Sequence, residues 1–479
     1  TVHFYHLQAL DWVNVVSASQ AKPEDAVAFA QAIGSTWTGN SLERFTKVAE
    51  TVNALIDSGQ LSIFTGGYWD HPAYKLPPEA NLMAVSHYLD ALEFQRSVVR
   101  IQTVFGGKNP HPNFLVGGMA CSIDPDKSET VNSVQIDQIR NWIDEAVAFA
   151  TECYLPDVVA IMGVYKDWFD IGATEPHLLA VGMIGANFPG DPAATPYRST
   201  LSPIEPGVLL DGDFVNVKPF DPTKVTEYIS SAWYTYEEGD DAALNPDFGE
   251  TSPKYTGKPT PWDWIADAED GKYTWSKAPR YDDKVVQVGP AARVLVAYAS
   301  GHERTREIVD GALSTIGIRL EQLNSTAGRI LCRAIETVTA VELMQQVSFP
   351  AFISNIAQGD IEVFNGAKWA PSQWPSSCQG YCYTEVPRGT LSHHVTIEGG
   401  KTKLYQCVVP TTWNAAGRDP MGQLGPYEYS LAGDGNHPLV IPDQPLEIMR
   451  TIHSYDPCMS CGVHVLDPSG EEITRLVTP

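Results

Sequence analysis

Ser454-Tyr455-Asp456-Pro457-Cys458-Met459-Ser460-Cys461-Gly462-Val463-His464 is the stretch on which the reading of this chain turns. Two thiols two residues apart can bind one metal ion, because the turn between them brings both sulfurs to the same side. Pro457 fixes φ just before the first thiol, and Gly462 lets the chain bend closely after the second. His464 follows three positions on, close enough to join the same metal shell or a neighbouring one. Cys-x-x-Cys alone leaves three readings open: half of a zinc site, a redox dithiol, or two thiolates of a transition-metal centre. A zinc site needs a second pair of comparable spacing, and the other close pair, Cys378 and Cys382, has three residues between. A redox dithiol opens a helix beside a strand in a small βαβ domain, and no such pattern surrounds this turn.

Outward from the turn, composition narrows the class. The chain has 479 residues, 43% hydrophobic, with 12 Trp, which is enough to bury a large core. A formal net charge of −26 argues against nucleic acid, whose phosphates need stripes of Lys and Arg, and against an anionic membrane surface. Eight cysteines in a chain this long are too few for a disulfide scaffold, so thiol chemistry is the better reading. No run of about 18 or more apolar residues marks a membrane span. The opening, Thr1 to Val13, lacks an initiator Met and a signal pattern, and reads as the inside of an amphipathic helix without a cap. The chain reads as one cut into from its N-terminal side.

Helical periodicity dominates the first third. Pro23 opens a helix to Ile33, and Asn40 or Ser41 caps another through Phe45, Val48 and Val52 that ends at Gly59. A long helix is expected over 79–105 and another over 131–153. From about 188 to 290, Gly, Pro, Asp and Tyr are frequent and short strand-like runs such as Gly207 to Val217 alternate with loops. Trp233, Trp262, Trp264 and Trp275 should be buried there, making this an elaboration wrapped on a helical body. Helices resume over 291–300, 303–316 and 325–346. Leu391 to Glu398 and Lys403 to Val409 flank Gly399-Gly400 as a hairpin, and a helix over 445–453 delivers the chain to the cysteine turn. The fold class is therefore mainly α with minor β (α+β).

Three further stretches stand out. Glu385-Val386-Pro387-Arg388-Gly389-Thr390-Leu391-Ser392-His393 alone is a turn entering a strand, with a surface Arg. Cys407-Val408-Val409-Pro410-Thr411-Thr412-Trp413-Asn414 alone is a strand ending at Pro410. Gly106-Gly107-Lys108-Asn109-Pro110-His111-Pro112-Asn113-Phe114 suggests phosphate cradling, yet it lacks the Gly-x-x-x-x-Gly-Lys-Ser/Thr pattern and does not leave a strand.

Together with Asp-Pro-Cys-x-x-Cys-Gly-x-His, these phrases resemble the large subunit of nickel–iron hydrogenases, over Thr1 to His464. The resemblance implies a long-helix bundle core with β and loop elaborations, as one domain over 1–464. It implies reversible heterolytic H2 cleavage at a thiolate-bound nickel–iron centre whose iron carries cyanide and carbon monoxide. Cys458 would be a terminal nickel ligand and Cys461 a bridging one. His464 and the backbone carbonyl of Cys407 would serve a nearby magnesium or iron ion. Arg388 would overhang the open side of the centre as the proton-accepting or hydride-stabilising group, with Pro387 in its turn, Asp456 orienting it and Cys458 the alternative proton carrier. Thr411 would donate a hydrogen bond to a cyanide, and His111 to a thiolate. The implied partners are H2, an iron–sulfur small subunit in an obligate heterodimer, a maturation protease and nickel-insertion proteins. That small subunit would carry the chain to the periplasm or a membrane, in preference to the cytoplasm.

Two departures accompany the resemblance. The family's Arg-x-Cys-Gly-x-Cys phrase, which supplies two more nickel thiolates, is absent, as are an upstream Glu ligand and the Glu usually proposed to relay protons. Mature large subunits end at the equivalent of His464, whereas here 465–479 follow as an expected maturation tail. The rival readings are a flavin- or deazaflavin-reducing relative, a structural-zinc protein, and a non-catalytic homologue or scaffold such as the quinone-site subunit of complex I. The retained Cys458 and Cys461 speak against the last.

Overall fold

The computed structural model describes residues 9–61, 64, 67–110, 122–183, 204–257, 271–363, 370–433 and 435–458, with 462–466 and 472–477 as backbone strands. Two short helices, α1 (Ala9–Trp12) and α2 (Val15–Ala18), come first, the second capped by the Asn14 side chain. In α3 (Pro23–Ala32) Pro23 occupies the first turn, where its missing N–H costs nothing. The Ser41 hydroxyl caps α4 (Leu42–Asp57) by accepting from Arg44 N–H, an interaction of about 1 kcal/mol. Phe45, Val48 and Val52 form its buried stripe, and Gly59, at φ +68°, turns the chain just beyond the helix end. Helix α5 (Pro78–Gly106) is buried on every side from Ala80 to Tyr88, then on one side only, and left-handed Gly107 stops it.

The helix expected over 131–153 starts at Ser133, behind an Asn132 cap, and does not stop at Cys153. After α6 (Ser133–Ala148) the chain makes a π turn (Phe149–Tyr154) and runs on as α7 (Leu155–Val164). Pro156 explains the turn: without an N–H, and with a ring that clashes one turn back, it is tolerated where the ladder widens. The same device corrects the helix expected over 325–346. There α10 (Thr326–Leu343) enters a π turn (Met344–Ser348) just before Pro350 and continues as α11 (Phe349–Ala357), which the sequence reading did not foresee. The combined run Ser133–Val164 is long and apolar enough to pass for a membrane span. Its Phe149, Tyr154, Val158 and Ile161 instead fill the protein's own core.

The middle is built of short strands. β1 (Leu178–Ala180), β2 (Gly207–Leu209) and β3 (Lys218–Pro219) make one antiparallel sheet. β4 (Val225–Tyr228) pairs with β7 (Ala278–Tyr281), and β5 (Tyr234–Thr235) with β6 (Ser252–Pro253). The strand expected over 207–217 is thus much shorter, because Asp211 and Gly212 both adopt positive φ and turn the chain. Lys272 holds this region from inside. Its ammonium donates to the carbonyls of Ile229, Ala232 and Tyr234 at 2.9–3.0 Å. Trp233 is buried as expected, whereas Trp275 is 47% exposed, stacked on Tyr255 at the surface; Trp262 and Trp264 lie outside the described residues.

Helices α8 (Pro290–Ala299) and α9 (Glu303–Ile316) return the chain to the body. The expected hairpin is present as β9 (Gly389–Glu398) and β10 (Lys401–Val408), and β8 (Ser377–Val386) adds a third strand on the other side of β9. Pro410 does not only end a strand; it opens α12 (Pro410–Asn414). After α13 (Pro426–Ala432), α14 (Leu446–Ser454) leads to the cysteine turn, and β11 (Gly462–Leu466) pairs antiparallel with β12 (Glu472–Val477). One large apolar core joins α1 to α5 with α7 to α10. A smaller one beneath the strands gathers Val208, Val225, Val288, Val408 and Trp413.

Candidate functional site

Helix α14 is the element that aims the cysteine turn, and polar anchors on its buried face fix it. The Arg450 guanidinium sits among Trp12, Tyr165, Trp168 and Tyr74, respectively 4.3, 4.9, 5.2 and 5.6 Å from their ring centres, and donates to the Asp11 carbonyl at 2.8 Å.

 His453 Nδ1 lies 2.8 Å from Asp11 Oδ2. Burial works against charge on this imidazole, but Asp11 outweighs it and holds the His453 pKa above its ordinary value. Thr451 meets Thr326 of α10 hydroxyl to hydroxyl at 2.9 Å. From the same helix Arg329 donates to Ser454 Oγ at 2.7 Å and lies over the Tyr455 ring at 3.8 Å, while Arg333 donates to the Ser454 carbonyl at 3.1 Å.

Beyond Ser454 the helix ends in a strained step. Asp456 is buried and takes φ +59°, a left-handed conformation uncommon outside glycine. Arg388 holds it there from the opposite side: Nε donates to the Asp456 carbonyl at 2.7 Å and Nη2 to its carboxylate at 3.2 Å. Two donors of one planar group thus grip both the backbone and the side chain of the residue two before Cys458.

The Arg388 turn joins β8 to β9 and rests on the start of α8. A side chain at Gly289 would meet the Arg388 carbonyl at 2.9 Å, so only glycine allows the two segments so close. The neighbouring Val288 exchanges two hydrogen bonds with the Asn414 side chain, at 3.1 and 3.0 Å. Asn414 ends α12, on which Thr411 is buried, so Pro387, Arg388 and Thr411 are all held to the Val288–Gly289 backbone. Cys407 lies on β10 opposite His393, its thiol pKa pushed up by burial and by Glu227. His464 lies on β11 opposite Arg475. Cys458 is a free, exposed thiol, while Cys461 and His111 lie outside the described residues.

Sequence reasoning missed the supports. Arg293, alone in the apolar helix α8, and Arg450, on the buried face of α14, were both visible as charges in elements that read as core. A second polar cluster lies in the helical core, where His87, Cys153 and Asp157 bring ligand-type atoms within 4.8 Å of one another. Both His87 nitrogens already have partners, Asp157 Oδ2 and Asn40 Oδ1, each at 2.7 Å, so the cluster reads as a buried hydrogen-bond chain.

The helical body thus brings Arg388 onto Asp456, two residues before the Cys458 thiol. The family profile described as nickel-dependent hydrogenase matches residues 1–464. The chain is 42% identical over 485 aligned positions to the Hydrogenase-1 large chain of Escherichia coli K12, covering 98% of this chain and 79% of that one. It is also 42% identical to the uptake hydrogenase large subunit of Bradyrhizobium diazoefficiens, covering 99% and 80%. Among solved structures, the Ni-Fe-Se hydrogenase of Desulfovibrio vulgaris Hildenborough superposes with a TM-score of 0.63 at 28% identity, over 80% of this chain and 71% of that one. The Ni-Fe-Se hydrogenase of Desulfomicrobium baculatum gives 0.63 at 25%, over 95% and 78%. The chain belongs to the nickel-dependent hydrogenase family, as a nickel–iron hydrogenase large subunit whose general function is cleavage of H2.

Proposed function

We propose that H2 is split beneath Arg388, at a nickel–iron centre held by the thiolates of Cys458 and Cys461. The observation that carries this reading is the double grip of Arg388 on Asp456, which fixes a cation beside the thiolate turn. The two thiolates present suit nickel and low-spin iron, Cys458 is free of any disulfide, and a complete nickel site needs two further thiolates from outside this stretch. When bound, the centre supplies the Lewis acidity and the electron acceptance that heterolytic cleavage requires. The chain's own residues do the rest. Cys458 Sγ is the base that takes the proton. Arg388 is a poor base as a guanidinium and acts as a fixed cation that favours charge separation. Thr411 would donate to a cyanide ligand of the iron, which would also carry carbon monoxide, and His111 would donate to a thiolate. His464 and the Cys407 carbonyl would serve a magnesium or iron ion.

The relatives named large chain and large subunit imply a small subunit, and we assign this chain the same kind of partner, one carrying iron–sulfur clusters. Electrons would leave through those clusters. A maturation protease acting after His464 and nickel-insertion proteins complete the set. The deciding experiment is metal analysis of the purified heterodimer. Nickel and iron in equal amounts are expected, and a Cys458→Ser or Cys461→Ser subunit should retain neither nickel nor activity. Nickel near the wild-type level in either variant refutes the ligand assignment, and zinc in place of nickel refutes the whole reading.

A further inference from the structure

We infer that Arg293 is a positioning residue that sets the place of Arg388, an inference that rests on the role proposed for Arg388 above. Arg293 stands in the first turns of α8 and is 2% exposed. Its guanidinium makes five hydrogen bonds in one plane. Nη1 donates to the Val386 carbonyl at 3.0 Å and Nη2 to the Pro387 carbonyl at 2.8 Å. These are the two peptide groups immediately before Arg388. The remaining three bonds go to carboxylates: Glu336 Oε2 at 2.7 Å and Oε1 at 2.8 Å, and Glu385 Oε2 at 2.6 Å.

Each carboxylate is itself fixed. Glu336 is on α10, the helix whose Arg329 and Arg333 hold Ser454. Glu385 Oε1 accepts from Val181 N–H at 2.9 Å and from the Thr390 hydroxyl at 2.6 Å, across the turn from Val386. Arg293 therefore ties three elements together, namely α8, α10 and the β8–β9 turn, with donors aimed at the backbone that carries Arg388. A purely structural ion pair would need only the carboxylates. The two carbonyl bonds are what specify the turn, and only a planar fork can make them while holding both acids. Lys in its place would keep the charge against Glu336 and Glu385 but could not reach both carbonyls as well.

The test is a double-mutant cycle in the mature heterodimer, with Arg293→Lys, Arg388→Lys and the double variant. Nickel content, melting temperature, and kcat and KM for H2 are read for each. Arg293→Lys should lower kcat about fivefold or more with KM for H2 and nickel content near wild type. Combined with Arg388→Lys it should add less than about twofold, because a positioning residue has nothing left to position. Losses that multiply, or a wild-type kcat in Arg293→Lys, overturn the inference. A wild-type rate in Arg388→Lys instead overturns the role of Arg388, a distinct failure. If Arg293→Lys does not fold, Glu336→Gln loosens the same fork and is carried through the same cycle. A loss of about twofold or more that vanishes on the Arg388→Lys background supports the inference, and a wild-type rate or an additive loss overturns it.

Discussion

The guanidinium of Arg450 lies 4.3 Å from the centre of the Trp12 ring, joining the last helix before the cysteine turn to the first helix described. The bond from Arg450 to the Asp11 carbonyl spans 439 positions of sequence. Segments far apart in sequence therefore hold the helix that leads to Cys458.

Arg450→Met should destabilise the chain by roughly 2–4 kcal/mol, because the Asp11 and Ala73 carbonyls lose their donor and the aromatic cage its cation. Relief from burying an ion offsets part of that loss, which keeps the figure moderate. Denaturant unfolding measures it, and a change below about 0.5 kcal/mol would show that the cage is only packing.

Arg388→Lys, with nickel content intact, should lower H2 oxidation by about tenfold or more, roughly 1.4 kcal/mol in barrier. Lys keeps the charge but cannot hold the Asp456 carbonyl and carboxylate with one rigid group. Normal turnover would reduce Pro387-Arg388-Gly389 to an ordinary turn.

The His453–Asp11 pair should make stability depend on pH. The His453 pKa is raised in the fold, so the folded chain keeps a proton that the unfolded chain releases. Its contribution is complete below about pH 6.5, the unfolded value, and is lost as pH rises through the folded value. Over that window stability should fall by at most about 1.4 kcal/mol per pH unit, and His453→Gln should flatten the fall. Melting curves across the window check this, and an unchanged slope in the variant would exclude His453 as the source.

Lys272→Met should unsettle the strand-rich middle. It strips the carbonyls of Ile229, Ala232 and Tyr234 of their donor at once, a loss of about 3 kcal/mol or more. Amide exchange should rise first in β4, β5 and β7, and uniform exchange across the protein would argue against so local a role.

Much of this was legible in the sequence where a local rule operates. Ser41, one of the two caps expected there, announces a helix start because its short side chain satisfies a free N–H group, and Gly399-Gly400 announces a hairpin. β8 was missed because its first five residues, Ser377 to Tyr381, are exposed and carry no apolar alternation. The Arg388–Asp456 contact was expected from resemblance to a family, since no spacing rule links positions 68 apart. Arg293 escaped because its partners come from two other elements, and periodicity describes one element at a time. Both π turns escaped for a related reason: a proline reads as a stop, although a widened ladder lets the helix pass it.

Those π turns carry a consequence for how these helices tolerate change in length. A π turn holds one residue more than the α ladder needs, so it rotates everything downstream by about 100° about the helix axis. Asp157, three residues past the turn at Phe149–Tyr154, meets His87 only because of that rotation. Deleting one residue from 149–154 would leave the composition of α7 untouched and swing Asp157 out of the core. In this helix the number of residues is as specific as their identity.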